Sequence, residues 1–278
     1  MYKKHIFEKI MLFLSFFLLS GFYSFPFHPS GEISIKQYNL IFIAFAIMLL
    51  IVLPVIFMTI FFVYNYRVSK KNTYNPQFIH SKKIELIVWI VPIIIIFFLG
   101  ILAWNTTHSL DPKKKIQSTN HPIIVDVIAL DWKWLFIYPK YNIATVNELI
   151  IPVDTPIIFH ITSNSVMSSF FIPSLGSQIY AMPGMDTKLN LISNIPGIYT
   201  GFSSNYNGYG FSNMKFNTVV VQNSDIFSKW IKKIQHISHS LDTISVFNSI
   251  SKPSILYNIE YFNNIYPNLF ARVVCKSI

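Results

Sequence analysis

The sequence predicts a membrane α-helical hairpin plus an all-β sandwich, followed by a short helical, aromatic-rich C-terminal tail. Two apolar runs without a single charge, residues 40–64 and 86–104, predict the hairpin. From residue 122 onward, short β-rich pieces alternate with proline and glycine turns, which predicts the sandwich. The composition fits a chain partly dissolved in lipid. Of 278 residues, 52% are hydrophobic and only 12% charged, with mean hydropathy +0.45, whereas soluble domains carry about a quarter charged residues.

Residues 1–21 form a signal-like segment. Lys3, Lys4 and Lys9 precede ten apolar or small residues, 10–19, closed by Ser20-Gly21, the layout of a secretory signal. That length is marginal for spanning a bilayer, so cleavage is favoured over retention as a third, short anchor. The hairpin covers residues 38–104. A bilayer core of about 30 Å needs roughly 20 residues at 1.5 Å rise, and the two runs hold 25 and 19. Pro54 and Pro92 lie inside them, which membrane helices tolerate better than soluble ones. Between the runs stand Arg67, Lys70, Lys71, Lys82 and Lys83 against Glu85, while residues 21–37 hold only Glu32 and Lys36. The connecting loop is therefore expected in the cytoplasm and the C-terminal part outside. Lys113, Lys114 and Lys115 run against this bias, but long domains translocate largely regardless of charge.

The exported domain is expected over residues 120–222, with strands at 123–130, 145–151, 157–162, 187–192 and 216–222. Pro139, Pro152, Pro156, Pro173, Pro183-Gly184 and Pro196-Gly197 punctuate them, a spacing that suits a sandwich or a barrel. The tail covers residues 223–278. Cys275 is the sole cysteine, so neither an intrachain disulfide nor a cysteine-based metal cluster is available. His236 and His239, three apart, read as a solvated helix face. The net charge of +10 invites a nucleic-acid partner. We read no basic helix or aromatic-basic stripe in the sequence, however, and basic flanks of membrane helices explain the charge more simply.

Longer strings carry more. Asp131-Trp132-Lys133-Trp134, the run from Ser163-Asn164-Ser165 through Val166-Met167-Ser168-Ser169 to Phe170-Phe171-Ile172-Pro173, and Leu175-Gly176-Ser177-Gln178-Ile179-Tyr180-Ala181-Met182 stand on the exported part. Glu260-Tyr261-Phe262 and Pro267-Asn268-Leu269-Phe270 lie in the tail. Together with the hairpin they resemble subunit II of haem–copper respiratory oxidases, and most of all the subgroup of bacterial cytochrome o ubiquinol oxidases. The resemblance covers nearly the whole chain and implies a cupredoxin-like sandwich.

Members that accept electrons from cytochrome c hold a thiolate-bridged copper pair on two loops of that sandwich. The resemblance places Ser168 at one histidine position, Ser203 and Asn207 at the two cysteines, and Phe211 at the second histidine, and leaves Met214 as a remnant. Soft sulfur donors select that metal, so no metal and no cofactor is expected in this chain. Between residues 111 and 222 six acids stand against seven lysines, with no acidic excess to steer a basic cytochrome c. Trp132 and Trp134, spaced by two, are expected on one face of a strand, packing core or interface.

The implied function is a non-catalytic subunit of a proton-pumping ubiquinol oxidase in the bacterial inner membrane. Its partners would be subunit I and the other subunits of the complex, with haems and copper in subunit I, and ubiquinol reached through the complex. Glu85, seven residues before Pro92, matches the family position at the mouth of a proton pathway; a helix-initiating acid is the alternative. Phe22 occupies the family's lipidated cysteine position and cannot form the thioether. The rival readings are a membrane-anchored cupredoxin-like binding or assembly protein and, less favoured, a copper-containing cytochrome c oxidase subunit II.

Overall fold

The computed structural model describes residues 11–12, 28–67 and 81–276. Phe22, most of the signal-like segment, and Lys70 and Lys71 lie outside the described residues. The chain divides into two compact units, one of Gln37–Asp111 and one of Met1–Lys36 with Pro112–Ile278.

The first unit consists of helix α1 (Glu32–Asn65) beyond its first turn and helix α2 (Lys82–Ser109). Pro54 and Pro92 sit inside continuous helix. Both helices are apolar around their circumference, and most of their side chains are exposed, as in helices that meet lipid or partner helices rather than water. Two threonine hydroxyls bond back within their own helices: Thr59 Oγ1 donates to the Val55 carbonyl at 2.8 Å and Thr106 Oγ1 to that of Leu102 at 2.7 Å.

The second unit is a two-sheet sandwich. Its strands are β1 (Ile123–Leu130), β2 (Lys133–Tyr138), β3 (Ile143–Val146), β4 (Glu148–Pro152), β5 (Ile157–Ser163) and β6 (Ser168–Phe171). They continue with β7 (Gln178–Ala181), β8 (Thr187–Leu191), β9 (Gly197–Ser203), β10 (Lys215–Val221), β11 (Ser240–Leu241) and β12 (Glu260–Ile265). One sheet runs β11-β12-β3-β2-β1-β5-β8 and the other β4-β10-β9-β6-β7. The expected single strand at 145–151 is two strands in different sheets. Asn147 breaks it at φ 56°, a left-handed conformation that asparagine tolerates.

Between the sheets, Trp134, Phe136 and Phe159 interlock with Phe170 and Phe216 at ring distances of 5.0–6.3 Å. Alternation places Trp134 and Phe136 inward and Lys133, Leu135 and Ile137 outward. Yet every residue of β2 is buried. The C-terminal segment explains this, because it extends the larger sheet at one edge and its later part covers the outer face. It consists of α3 (Ser224–Gln235), β11, α4 (Ile244–Ile250), β12 and α5 (Leu269–Lys276). Phe247, Ile250, Phe262, Leu269 and Val273 from this segment form a second core with Ile128, Leu130, Leu135 and Ile137. The tail is thus helical, as the sequence predicts, and it also supplies two sheet strands. Lys133 pins it: its Nζ, buried under the segment, donates to the Lys252 carbonyl at 2.7 Å and to Ser254 Oγ at 2.6 Å, above the Tyr257 ring. Burial pushes the Lys133 ammonium pKa down, against the pull of Asp131 and Glu260.

The start of α1 belongs to this second unit. Ser30 N donates to the Ser174 carbonyl at 2.8 Å, Asn194 N to that of Ser30 at 2.9 Å, and Gly31 bridges Ser193. A Cβ on Gly31 would stand 2.5 Å from the Ile192 carbonyl oxygen, so only glycine lets the two backbones approach this closely.

Candidate functional site

β6 and β9 pair in antiparallel register, Phe170 opposite Ser203, and this pairing carries the two loops of interest toward each other. Ser203 Oγ accepts from Ser169 N at 3.3 Å, and Ser203 N donates to the Met214 carbonyl at 3.2 Å. Asn207 closes the knot: its Nδ2 donates to Ser168 Oγ at 2.8 Å and lies 3.0 Å from Met214 Sδ. Met214 is fully buried beneath the loop. Phe211 heads the turn Phe211–Asn213 and joins through its backbone, accepting from Met214 N at 3.1 Å, while its ring rests against Tyr206. Ser168, Ser203, Asn207 and Met214 therefore meet in one place, with the Phe211 side chain on the rim.

A copper pair does not fit these donors. Two hydroxyls, an amide and a phenyl ring are hard or inert, and the Met214 thioether is the single soft donor in the set. The Asn207 amide nitrogen ties the loops together, while its Oδ1 and the neighbouring Ser169 hydroxyl are buried without a partner.

Trp132 was not legible as part of this arrangement. It does not share a strand face with Trp134; it occupies the second position of the two-residue turn between β1 and β2, at φ 63°. There its indole covers the loop. Trp132 Nε1 donates to the Asn207 carbonyl at 3.4 Å, and a Cβ on Gly210 would fall 2.4 Å from the ring. Gly208, at φ 118°, also faces the indole. The Gly208-Tyr209-Gly210 triplet was the available signal, since glycine permits a positive φ and a close approach.

Glu85 lies in the first turn of α2, exposed, where a carboxylate complements the helix dipole. A second polar cluster went unnoticed in the sequence. On the outer face, Asp126 of β1 stands in register with His160 of β5, and His160 Nδ1 lies 2.8 Å from Asp186 Oδ2. Burial pushes the Asp126 carboxyl up to about 6, with His160 opposing and Asp186 reinforcing the shift. Asp126 lines a cavity with Leu269, Phe270 and Ala271, and the Phe270 ring meets His160 edge-on.

Two long apolar helices followed by a two-sheet sandwich with these paired loops place the chain in the subunit II class of respiratory oxidases, as the comparisons bear out. The family description "Cytochrome C oxidase subunit II, transmembrane domain" matches residues 29–105, and "Cytochrome C oxidase subunit II, periplasmic domain" matches residues 138–224. Cytochrome bo(3) ubiquinol oxidase subunit 2 of Buchnera aphidicola subsp. Schizaphis graminum is 54% identical over 98% of this chain and 94% of its own length. The protein of the same name from Buchnera aphidicola subsp. Baizongia pistaciae is 53% identical over 100% and 97%, and that from Pseudomonas putida 46% over 96% and 85%. The chain belongs to the ubiquinol oxidase subunit 2 family. Membrane anchoring with a periplasmic domain follows from the matched family descriptions and the two apolar helices.

Proposed function

We propose that this chain is a copper-free, non-catalytic subunit of a ubiquinol oxidase complex of the aerobic respiratory chain. It lies in the bacterial inner membrane and caps subunit I on the periplasmic side. The knot of Ser168, Ser203, Asn207 and Met214 carries this reading: the paired loops are closed by hydrogen bonds between donors unsuited to a copper pair. Family membership supplies the donor. Ubiquinol is lipid-soluble and can deliver electrons within the membrane to a haem of subunit I, where the haems and the oxygen-reducing copper are expected. A water-side relay then has no task. Cytochrome c is not a partner in this reading, because the sandwich has no acidic excess to steer it.

Purification of the tagged complex in mild detergent tests this. Subunit I should co-purify with haem and with ubiquinol-dependent oxygen uptake, without oxidation of reduced cytochrome c. A pair of copper atoms that leaves with this subunit would overturn it.

Glu85 is assigned to proton uptake at the cytoplasmic end of α2, where an exposed carboxylate can gather protons for the partner subunit. Glu85→Gln should slow oxygen consumption several-fold in a fully assembled complex; unchanged turnover would show that the side chain only starts the helix.

A further inference from the structure

No basic helix stands out in the linear sequence, and the structure contains one. Helix α3 is amphipathic, with Phe227, Ile231 and Ile234 buried against the sandwich. Lys229, Lys232, Lys233 and the C-cap His236 follow the i, i+3, i+4, i+7 spacing of one helix face, and all four are exposed. Interleaved Trp230, Ile231 and Ile234 hide this stripe in the linear sequence. Asp225, in the first turn, is the one acid on the helix, and none of the three lysines makes an ion pair among the described residues.

The helix dipole accounts for Lys232 and Lys233, which lie in the last turn, but not for Lys229. Composition separates two kinds of partner. Protein interfaces favour tyrosine, tryptophan and arginine and are depleted in lysine. An anionic bilayer attracts compact ammonium groups additively, by roughly fivefold in binding for each one near the surface. The stripe has lysines and no arginine, and its aromatic side is turned toward the sandwich: Trp230 stacks on Phe227 and meets Tyr138. With its apolar face already buried, α3 presents charge rather than an inserting wedge. The chain is also held at a membrane by α1 and α2, which makes headgroups a permanent, high-concentration neighbour.

We propose that the Lys229–Lys232–Lys233 face of α3 is an electrostatic docking strip for anionic phospholipid headgroups of the membrane's exported leaflet. The contact does not depend on the identity of the electron donor.

The test uses the intact complex in bilayers of phosphatidylcholine containing a trace of photoactivatable lipid. A phosphatidylglycerol probe should cross-link to the peptide spanning residues 224–236, and a phosphatidylcholine probe should not. Raised salt should diminish the cross-link. The triple variant Lys229→Gln, Lys232→Gln, Lys233→Gln should lose it by about tenfold or more, while the triple arginine variant should keep it. Equal labelling by both probes, no labelling of the peptide, or undiminished labelling of the glutamine variant would overturn the proposal. Salt-sensitive co-purification of an acidic protein through these lysines, without lipid labelling, would overturn it in favour of a protein partner.

Discussion

Gly210 sets how closely the loop of residues 203–214 can lie on the sandwich, because any side chain there meets the Trp132 indole at 2.4 Å. Gly210→Ala should lower stability by about 1–3 kcal/mol, the usual range for overpacking. It should also raise amide exchange across residues 204–213, measured by mass spectrometry on the intact complex. Exchange unchanged from wild type would show that Trp132 yields freely. Lys133 makes the complementary case, since its ammonium is buried and its partners lie on a segment 119 residues away. Lys133→Ala should cost roughly 1.5–3 kcal/mol, the range for hydrogen bonds to charged groups, and should loosen residues 252–257 in limited proteolysis. Neither role was legible from local pattern. A lysine between two tryptophans reads as an outward, solvated position, and a tryptophan at positive φ has no sequence signature. The positions of Ser168, Ser203, Asn207 and Met214 were legible through family strings, whereas their hydrogen-bond closure needed the β6–β9 register.

Strands and helices show where periodicity succeeds and where distance along the chain defeats it. β1, β5, β8 and β10 carry apolar, β-branched runs bounded by prolines and glycines and could be anticipated. β12, Glu-Tyr-Phe-Asn-Asn-Ile, contains two asparagines, residues depleted in strands, and becomes a strand because β3 offers it an edge. Helix α5 docks over β1 and β5, above Asp126. This contact should be pH-dependent. The covered Asp126 carboxyl titrates at about 6 against an ordinary value of 3.8, so the docked state binds more protons. Docking is then tightest below the ordinary value, weakens as pH rises through about 6, and levels off above it. Protection factors for amides 269–276 should be higher at pH 5 than at pH 7. Asp126→Asn should flatten the dependence; a difference that persists in that variant would assign it to another group.

For the whole molecule, two charge-free spans and a change to β pattern near residue 122 were enough to read a hairpin and an exported sandwich. The attachment of the first turn of α1 to the sandwich was not, since it rests mainly on polar contacts of Ser30, Gly31 and Ser34 with Ser174 and Ser193, which leave little pattern in the sequence. Gly31→Ala should push the Ile192 carbonyl away and cost about 1–3 kcal/mol, read as a lower thermal midpoint for the assembled oxidase. An unchanged midpoint would show that the approach can relax without loss.

The order in which the chain leaves the cytoplasm gives β12 a further meaning. Its partner strand β3 begins at Ile143 and β12 at Glu260, so the larger sheet waits for more than a hundred residues of translocation before its outer surface can close. Until then Leu135, Ile137 and their neighbours lack the cover that Phe262, Leu269 and Val273 give them. The outer face of the larger sheet is therefore completed by the last part of the chain rather than by the residues nearest to it in sequence.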